Sequence, residues 1–244
     1  MATLSVFRWS PGAEERWQEY TVSAGPDTTL LDALVEVQRR EDPTLAFRYA
    51  CRVGMCGSCA VVVNGRERWA CRTRLATLPP ARGPIAVRPL YHFPLLRDLV
   101  VDLAPVGEKL RAVGGALHPA ADAAPYAILS RESSERRAID GAIECIGCGM
   151  CLSACTLVAS NPRFPGPAAL NRAFTLARDH RDAAAPARWG VLLGDDGLAR
   201  CHGQGNCTEV CPMGIAPTDS IIRLRRTAAR RVLALRLTFR SAAR

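Results

Sequence analysis

The sequence predicts an α+β chain of two domains, a small sheet-and-helix domain over residues 1–95 and a helical domain over residues 96–244. Two strand-like segments and an amphipathic helix open the chain. Five prolines then fall between Pro79 and Pro94, which is typical of a linker or of the wrapped edge of a domain. From Leu96 the apolar residues repeat at helical spacing, which predicts a helix over residues 96–103 and places the domain boundary near residue 95.

The first domain begins with a predicted hairpin. Residues 3–9 partly alternate apolar and polar side chains, and residues 16–22 are the predicted partner strand. Asp27 or Thr28 is expected to cap a helix that carries an apolar stripe. That helix should end before Pro43, because proline disfavours helical backbone in the residue that precedes it.

A group of cysteines follows, with the spacing C-x4-C-x2-C and a fourth thiol downstream. This is the plant-type [2Fe–2S] pattern, and its members are Cys51, Cys56, Cys59 and Cys71. Asn64-Gly65 predicts a tight hairpin between strands at 60–63 and 66–70, which returns the fourth cysteine to the loop. With a last strand at 85–87, these elements predict a β-grasp domain of the plant-type ferredoxin kind. The alternative is a hairpin that merely happens to carry cysteines.

A second group places four thiols in eleven residues, with gaps of two, two and three: Cys145, Cys148, Cys151 and Cys155. This spacing wraps sulfur atoms around an iron–sulfur cube, and the small residues between the thiols allow close approach of the backbone. A structural zinc site is the alternative. Zinc ligands usually come as two pairs separated by a dozen or more residues, so the spacing favours iron–sulfur.

The third group, Cys201, Cys207 and Cys211, resembles a cluster motif in which Gln204 replaces one ligand. The chain has 11 cysteines, and the first group uses four, so seven remain for one [4Fe–4S] and one [3Fe–4S] cluster. In two-cluster ferredoxins the last cysteine of a run spaced like the second group binds the other cluster. We therefore assign Cys145, Cys148, Cys151 and Cys211 to the [4Fe–4S] cluster, and Cys155, Cys201 and Cys207 to the [3Fe–4S] cluster. Without iron this half of the chain should fold poorly.

Helices surround these groups in the predicted second domain. One begins at Ser133, one follows Cys155 to about Ser160, and one restarts at Gly166, where a proline at the first turn is favourable. The last begins at about Thr218. This last helix is strongly basic, which predicts either a solvated terminal helix or contact with an acidic partner or anionic headgroups. The predicted architecture is all-α and similar to bacterial ferredoxins.

Charge and hydropathy narrow the function classes. The formal charge of +9 suggests that the chain binds nucleic acid, but three clusters with their thiolates would lower the net charge to about +3. No recognition-helix motif is present, so no nucleic-acid partner is expected. The N-terminal residues do not resemble a signal peptide, and the thiols suit a reducing compartment. No apolar run reaches the length of a membrane span, so we expect any membrane association to be peripheral.

Taken in order, these motifs resemble the iron–sulfur subunit of succinate dehydrogenase and fumarate reductase over nearly the whole chain. The resemblance rests on the three cysteine groups, on the segment 96–102, and on Asn161-Pro-Arg-Phe-Pro-Gly-Pro-Ala168. It implies a partner flavoprotein with covalent FAD and the dicarboxylate site, a membrane anchor, and a peripheral location on the cytoplasmic face of the inner (plasma) membrane. It also implies electron flow from flavin through the [2Fe–2S], [4Fe–4S] and [3Fe–4S] clusters to quinone.

The sequence departs from the family pattern near the expected quinone. Thr156 stands where a proline is usual, and the tryptophan common on residues 157–160 of quinone-reducing members is absent. The resemblance makes His202 and Arg225 candidates for residues near the quinone, with Gln204 beside them. His202 could relay protons, or it could be a capping or packing side chain.

Three rival functions remain open at the level of sequence. The chain could serve a quinol:fumarate reductase, in which electrons run in the reverse direction. It could be the iron–sulfur subunit of a different flavin-dependent oxidoreductase. It could also be a soluble ferredoxin that works alone, although the charged run 178–182 and the basic last helix argue against this.

Overall fold

The computed structural model describes residues 1–78, 83–119 and 128–242, so the prolines at positions 79 and 80 lie outside the described residues. The chain divides into two compact units. The first contains Met1–Pro105 together with Ile146–Ala154, and the second contains Val106–Cys145 and Cys155–Arg244.

Within the described residues, the first unit contains a mixed five-stranded sheet and a two-stranded hairpin. The strands are β1 (Ala2–Arg8), β2 (Arg16–Val22), β3 (Ala60–Val63), β4 (Arg66–Trp69), β5 (Ile85–Arg88), β6 (Leu95–Arg97) and β7 (Val100–Val101). The sheet order is β2-β1-β5-β3-β4, with β1 and β5 parallel and the other neighbours antiparallel. The predicted opening hairpin and the Asn64-Gly65 hairpin are both present.

Helix α1 (Leu30–Arg40) packs its apolar face into the core of the sheet. Its cap is Thr29, one or two residues later than the predicted Asp27 or Thr28. Thr29 Oγ1 accepts a hydrogen bond from Asp32 N at 3.1 Å, and the Asp32 carboxylate accepts one from Thr29 N at 3.0 Å. This reciprocal pair satisfies two helix-terminal N–H groups, which fixes where the helix begins.

The predicted helix over residues 96–103 is wrong, because this segment forms the β6–β7 hairpin. Asp98 lies at the turn with φ +45° and is almost fully buried. Its carboxylate accepts hydrogen bonds from Arg8 Nε, Trp9 N and Ala46 N at 3.0, 3.0 and 2.8 Å. Contacts with residues distant in sequence therefore override the local helical spacing.

The described helices that follow are mostly short: α2 (Ala104–Ala112), α3 (Ser134–Ile139), α4 (Met150–Ser153), α5 (Thr156–Ser160), α6 (Gly166–Ala177), α7 (Ala185–Leu193), α8 (Asn206–Glu209) and α9 (Pro217–Ala242). The helices predicted at Ser133, after Cys155, at Gly166 and at Thr218 are confirmed to within a residue. Helices α2, α4, α7 and α8 were not predicted.

Helices α6 and α9 pack together in the second unit through a buried polar pair. Ser220 Oγ on α9 donates to Asn171 Oδ1 on α6 at 2.8 Å, and Asn171 Nδ2 donates to the carbonyl of Ala142 at 2.8 Å. Ala142 begins a single 3₁₀ turn, Ala142–Glu144, that leads directly to Cys145. The helix pair thus supports the approach to the second cysteine group.

The charged run 178–182 is not entirely solvated. The side chain of Asp182 is completely buried and pairs with the buried guanidinium of Arg188. Arg188 also donates to the carbonyl of Gly114 at 2.9 Å. At least one member of the run therefore stabilises the second unit instead of meeting a partner.

Candidate iron–sulfur centres

The first cysteine group lies on a loop whose backbone curls tightly. Arg52, Gly54 and Gly57 have φ of +60°, +75° and +73°. This backbone conformation points two N–H groups at one sulfur atom. Met55 N and Cys56 N lie 3.2 and 3.4 Å from Cys51 Sγ. Donors aimed at sulfur stabilise a cluster thiolate and influence its reduction potential.

The β3–β4 hairpin positions the other half of this group. Ala70 N donates to the carbonyl of Cys59 at 3.0 Å, and the 3₁₀ turn Ala70–Arg72 carries Cys71 beside it. Burial raises the pKa of the Cys59 thiol to about 12, while a backbone hydrogen bond with Cys71 opposes this shift and the side chain and charge of Cys71 add to it. Hydrogen bonds with Ser58 and then Cys51 lower the pKa of the exposed Cys56 thiol to about 6. The donor set and the curled loop fit a [2Fe–2S] cluster.

The second cysteine group is divided between the units. Cys148 and Cys151 lie on the segment 146–154, which belongs to the first unit, whereas Cys145 and Cys155 belong to the second unit, as does Cys211 of the third group. Gly147 and Gly149 have φ of +67° and +82°, and Gly149 precedes α4.

The second unit brings Cys155, Cys201 and Cys207 together. Burial raises the pKa of the Cys207 thiol, and negative charge on Cys155 and Cys201 raises it further, so the three sulfur atoms are near enough to interact. Burial is also the main cause of the raised pKa of Cys155, to which Cys201 again contributes. Cys207 Sγ lies 3.3 Å from Thr218 Oγ1 at the start of α9.

The three residues predicted to lie near quinone are found around this group. The exposed Gln204 accepts a hydrogen bond at Oε1 from Thr156 Oγ1 at 2.7 Å. Arg225 donates to the carbonyl of Cys201 at 2.8 Å, and His202 is exposed. Gln204 lies between Cys201 and Cys207 in sequence and carries an amide where a regular run of cysteines would have a thiol.

Lys109 makes contacts that were not predicted from the sequence. This side chain on α2 donates to the carbonyls of Pro162 and Phe164, both at 2.6 Å. Burial lowers the pKa of Lys109, and negative charge on Cys155 opposes that shift. No local pattern marks such a lysine, because the two carbonyls that it contacts lie more than fifty residues away in sequence.

Among the side chains that the structure describes, no group of three or more His, Cys, Asp or Glu is arranged to hold a single metal ion. In an iron–sulfur cluster the thiolates bind different iron atoms, so the ligands lie farther apart than those of one ion. In the described part of the chain, no helix is both long enough and apolar enough to cross a membrane.

The fold and the cysteine groups define an iron–sulfur protein built from two ferredoxin-like domains. Residues 3–108 match the family model "2Fe-2S iron-sulfur cluster binding domain", and residues 141–215 match "4Fe-4S dicluster domain". The predicted fold class is confirmed.

Similar proteins identify the family. The chain is 35% identical to the fumarate reductase iron-sulfur subunit of Haemophilus influenzae, over 89% of this chain and 89% of that protein. It is 35% identical to the succinate dehydrogenase iron-sulfur subunit of Paracoccus denitrificans, over 94% of this chain and 89% of that protein. A chain of the solved Mycobacterium smegmatis Sdh1 complex in the apo form superposes with a TM-score of 0.85 at 31% identity, covering 94% of this chain and 96% of that one. This chain belongs to the iron–sulfur subunits of succinate dehydrogenase and fumarate reductase, and is therefore part of an oxidoreductase complex.

Proposed function

We propose that this chain passes electrons between a flavoprotein subunit that contains FAD and a membrane quinone, through three clusters held in sequence. The chain itself makes and breaks no substrate bonds. Its residues hold each cluster, exclude water and set the potential through burial and N–H groups. The dicarboxylate chemistry belongs to the flavoprotein.

The proposed ligands of the [2Fe–2S] and [4Fe–4S] clusters are those assigned from the spacing. Cys51, Cys56, Cys59 and Cys71 hold the first, and Cys145, Cys148, Cys151 and Cys211 hold the second. Two observations support the first set in particular: the curled loop aims N–H groups at Cys51, and the hairpin returns Cys71 to Cys59.

The observation that carries the proposal is the group of Cys155, Cys201 and Cys207 with Gln204 beside it. Three thiols near one another suit a [3Fe–4S] cluster, since one corner of a cube would lack its cysteine. Gln204 is engaged by Thr156 at 2.7 Å, so its amide is held in place by a neighbouring side chain. A three-iron cluster in this group would favour delivery of electrons to quinone.

The flavoprotein is proposed to bind near the [2Fe–2S] loop. Val53 and Met55 expose 57% and 69% of their surface there, although both are apolar. Arg52 lies over the ring of Tyr49 at 5.0 Å, which adds a cationic and aromatic edge. Exposed apolar side chains beside a redox centre are typical of a docking surface.

The part of the second unit around Cys201 is proposed to meet the membrane anchor and quinone, on the cytoplasmic face of the membrane. His202 is exposed next to Cys201, and Arg225 is bound to the Cys201 carbonyl, so both are candidates to contact quinone. Arginines recur along α9, at positions 223, 225, 226, 230 and 231. Such a helix suits acidic partner residues or anionic headgroups.

The proposal is tested by metal analysis and EPR on anaerobically purified protein. About nine iron atoms per chain are expected, with a three-iron signal in the oxidised state and [2Fe–2S] and [4Fe–4S] signals after reduction. Zinc, or clearly fewer irons, would contradict the proposed ligand sets.

The direction of electron flow needs a separate test, because relatives of both names match this chain at the same identity. Succinate–quinone and quinol–fumarate activities of the purified complex decide between the two directions. Failure of both activities, with all clusters present, would favour a different flavin-dependent oxidoreductase. Gel filtration with and without the flavoprotein tests the remaining rival, a ferredoxin that works alone.

A further inference from the structure

The segment 146–154, which carries Cys148 and Cys151, is anchored to the sheet of the first unit. Ser153 is 2% exposed. Its hydroxyl donates to Glu67 Oε1 on β4 at 2.6 Å and accepts from Tyr91 N at 2.9 Å. Buried hydrogen bonds of this kind are costly to break, so the position of the segment on the sheet is fixed.

A direct contact joins this segment to the [2Fe–2S] loop. A Cβ atom placed on Gly57 would lie 2.6 Å from Cys148 Cβ and 3.2 Å from Cys148 Cα. The first separation is shorter than the non-bonded contacts that Cβ atoms make in proteins. The segment 146–154 can therefore pack against the [2Fe–2S] loop this closely only because residue 57 has no side chain. Gly57 directly follows Cys56, a proposed [2Fe–2S] ligand, and Cys148 is a proposed [4Fe–4S] ligand.

The surroundings of the contact are less well packed. A cavity of about 20 Å³, the size of one water molecule, lies beside it and is lined by Arg48, Ser58 and Leu103 as well as by Gly57 and Cys148. Packed atoms couple two redox centres better than an equal length of empty space. The contact between Gly57 and Cys148 is therefore better suited to electron transfer than the cavity beside it.

We infer that Gly57 and Cys148 form the junction through which one electron passes between the [2Fe–2S] and [4Fe–4S] centres, and that Gly57 is a positioning residue for this step. The reduced centre loses the electron and the oxidised centre gains it, while no bond forms or breaks and no proton moves. The inference rests on the proposed function, because it uses the proposed ligands of both clusters.

The test compares Gly57→Ala with the wild-type full chain carrying its clusters. After flash photoreduction, freeze-quench EPR follows how fast the electron equilibrates between the two centres. The added methyl group must push the segment 146–154 away, so a severalfold slower equilibration is expected. Equal rates in the loaded wild type and the loaded variant would overturn the inference.

Gly65→Ala is the matched control. Gly65 has φ +79°, close to that of Gly57, but nothing lies within 4 Å of a Cβ placed there. It therefore reproduces the backbone strain in the same domain without disturbing the junction, and its equilibration rate should equal that of the wild type. An equal slowing in both variants would overturn the junction, since strain alone would then explain it.

A second variant covers the case in which Gly57→Ala does not load the [4Fe–4S] centre. Ser153→Ala removes the anchor without adding an atom, and slower equilibration with intact signals from both centres is again expected. Unchanged equilibration in this loaded variant would overturn the inference. A wild-type chain without a [4Fe–4S] signal would instead contradict the proposed function, so the two failures are distinguishable.

Discussion

Gln204 is the residue on which the proposed [3Fe–4S] assignment depends. It lies between Cys201 and Cys207, where a cysteine would complete a regular ligand run, and its amide oxygen is bound by Thr156 at 2.7 Å. An amide oxygen is a poor ligand for iron compared with thiolate. The side chain therefore favours a cluster that lacks one iron.

Gln204→Cys is expected to convert the terminal centre to [4Fe–4S] and to lower its reduction potential, because a fourth thiolate adds negative charge. EPR of the oxidised protein should lose the three-iron signal, and redox titration should show the lower potential. Gln204→Ser is the control, since it removes the amide without supplying a thiol and should keep the signal. Persistence of the three-iron signal in Gln204→Cys would show that residue 204 does not face the open corner.

Tyr20 makes the stability of the first unit decrease at alkaline pH. Burial, together with the hydrogen bond that its hydroxyl donates to the Asp42 carboxylate at 2.8 Å, raises its pKa to about 12. Since the unfolded value is about 10, the unfolded state releases this proton first as pH rises. The stabilisation is complete below about pH 10 and decreases above it, towards the folded pKa.

Tyr20→Phe should therefore lower the melting temperature at neutral pH, because Asp42 loses a donor, and should flatten the decrease in melting temperature between about pH 10 and 12. Thermal unfolding across this range measures both effects. Tyr49→Phe, which lies outside the Asp42 network, should leave the slope unchanged. An unaltered slope in Tyr20→Phe would mean that another group causes the alkaline loss.

At the scale of elements, the sequence was informative wherever the signal was local. Asn64-Gly65 and the alternation in β1 and β2 predicted the hairpins correctly because turn chemistry and side-chain alternation act over a few residues. The segment 96–103 was mispredicted because Asp98 takes its conformation from Arg8 and Ala46, which are distant in sequence. The contacts of Lys109 were not predicted for the same reason, because the carbonyls that it binds are distant in sequence.

Asn171 is expected to stabilise both the α6–α9 pair and the turn before Cys145. Asn171→Ala leaves the buried hydroxyl of Ser220 without its acceptor and the Ala142 carbonyl without its donor, which should cost about 1–3 kcal/mol. Urea unfolding measures this loss. Iron content should also decrease, since the turn Ala142–Glu144 precedes a proposed ligand.

Ser220→Ala is the matched variant on the facing helix. It removes the same hydrogen bond but leaves the Asn171–Ala142 bond in place, so it should cost about 1 kcal/mol and retain full iron content. If both variants lose iron equally, the support for Cys145 comes from helix packing as a whole and not from the Asn171 side chain.

At the scale of the whole molecule, the cysteine spacing predicted which chemistry the chain supports but not how the segments are arranged. The segment 146–154 belongs with the sheet of the first unit, although it is separated from that sheet by helices α2 and α3 in sequence. Its anchor residues, Ser153 and Glu67, are 86 positions apart. Neither residue type indicates a partner at that distance, so only the folded chain reveals the pairing.

Iron removal should affect the two kinds of structure differently. Helices α4, α5 and α8 have four, five and four residues, too short to be stable without tertiary support, and each lies next to proposed cluster ligands. The sheet instead has a continuous apolar core that includes Leu4, Val6, Leu34 and Val63. After chelation under reducing conditions, hydrogen exchange should show lost amide protection at 145–160 and 201–211 and retained protection in β1, β3 and β5. Reloading with iron and sulfide should restore the lost protection. Simultaneous loss across the sheet would show instead that the clusters and the apolar core stabilise the chain as one cooperative unit.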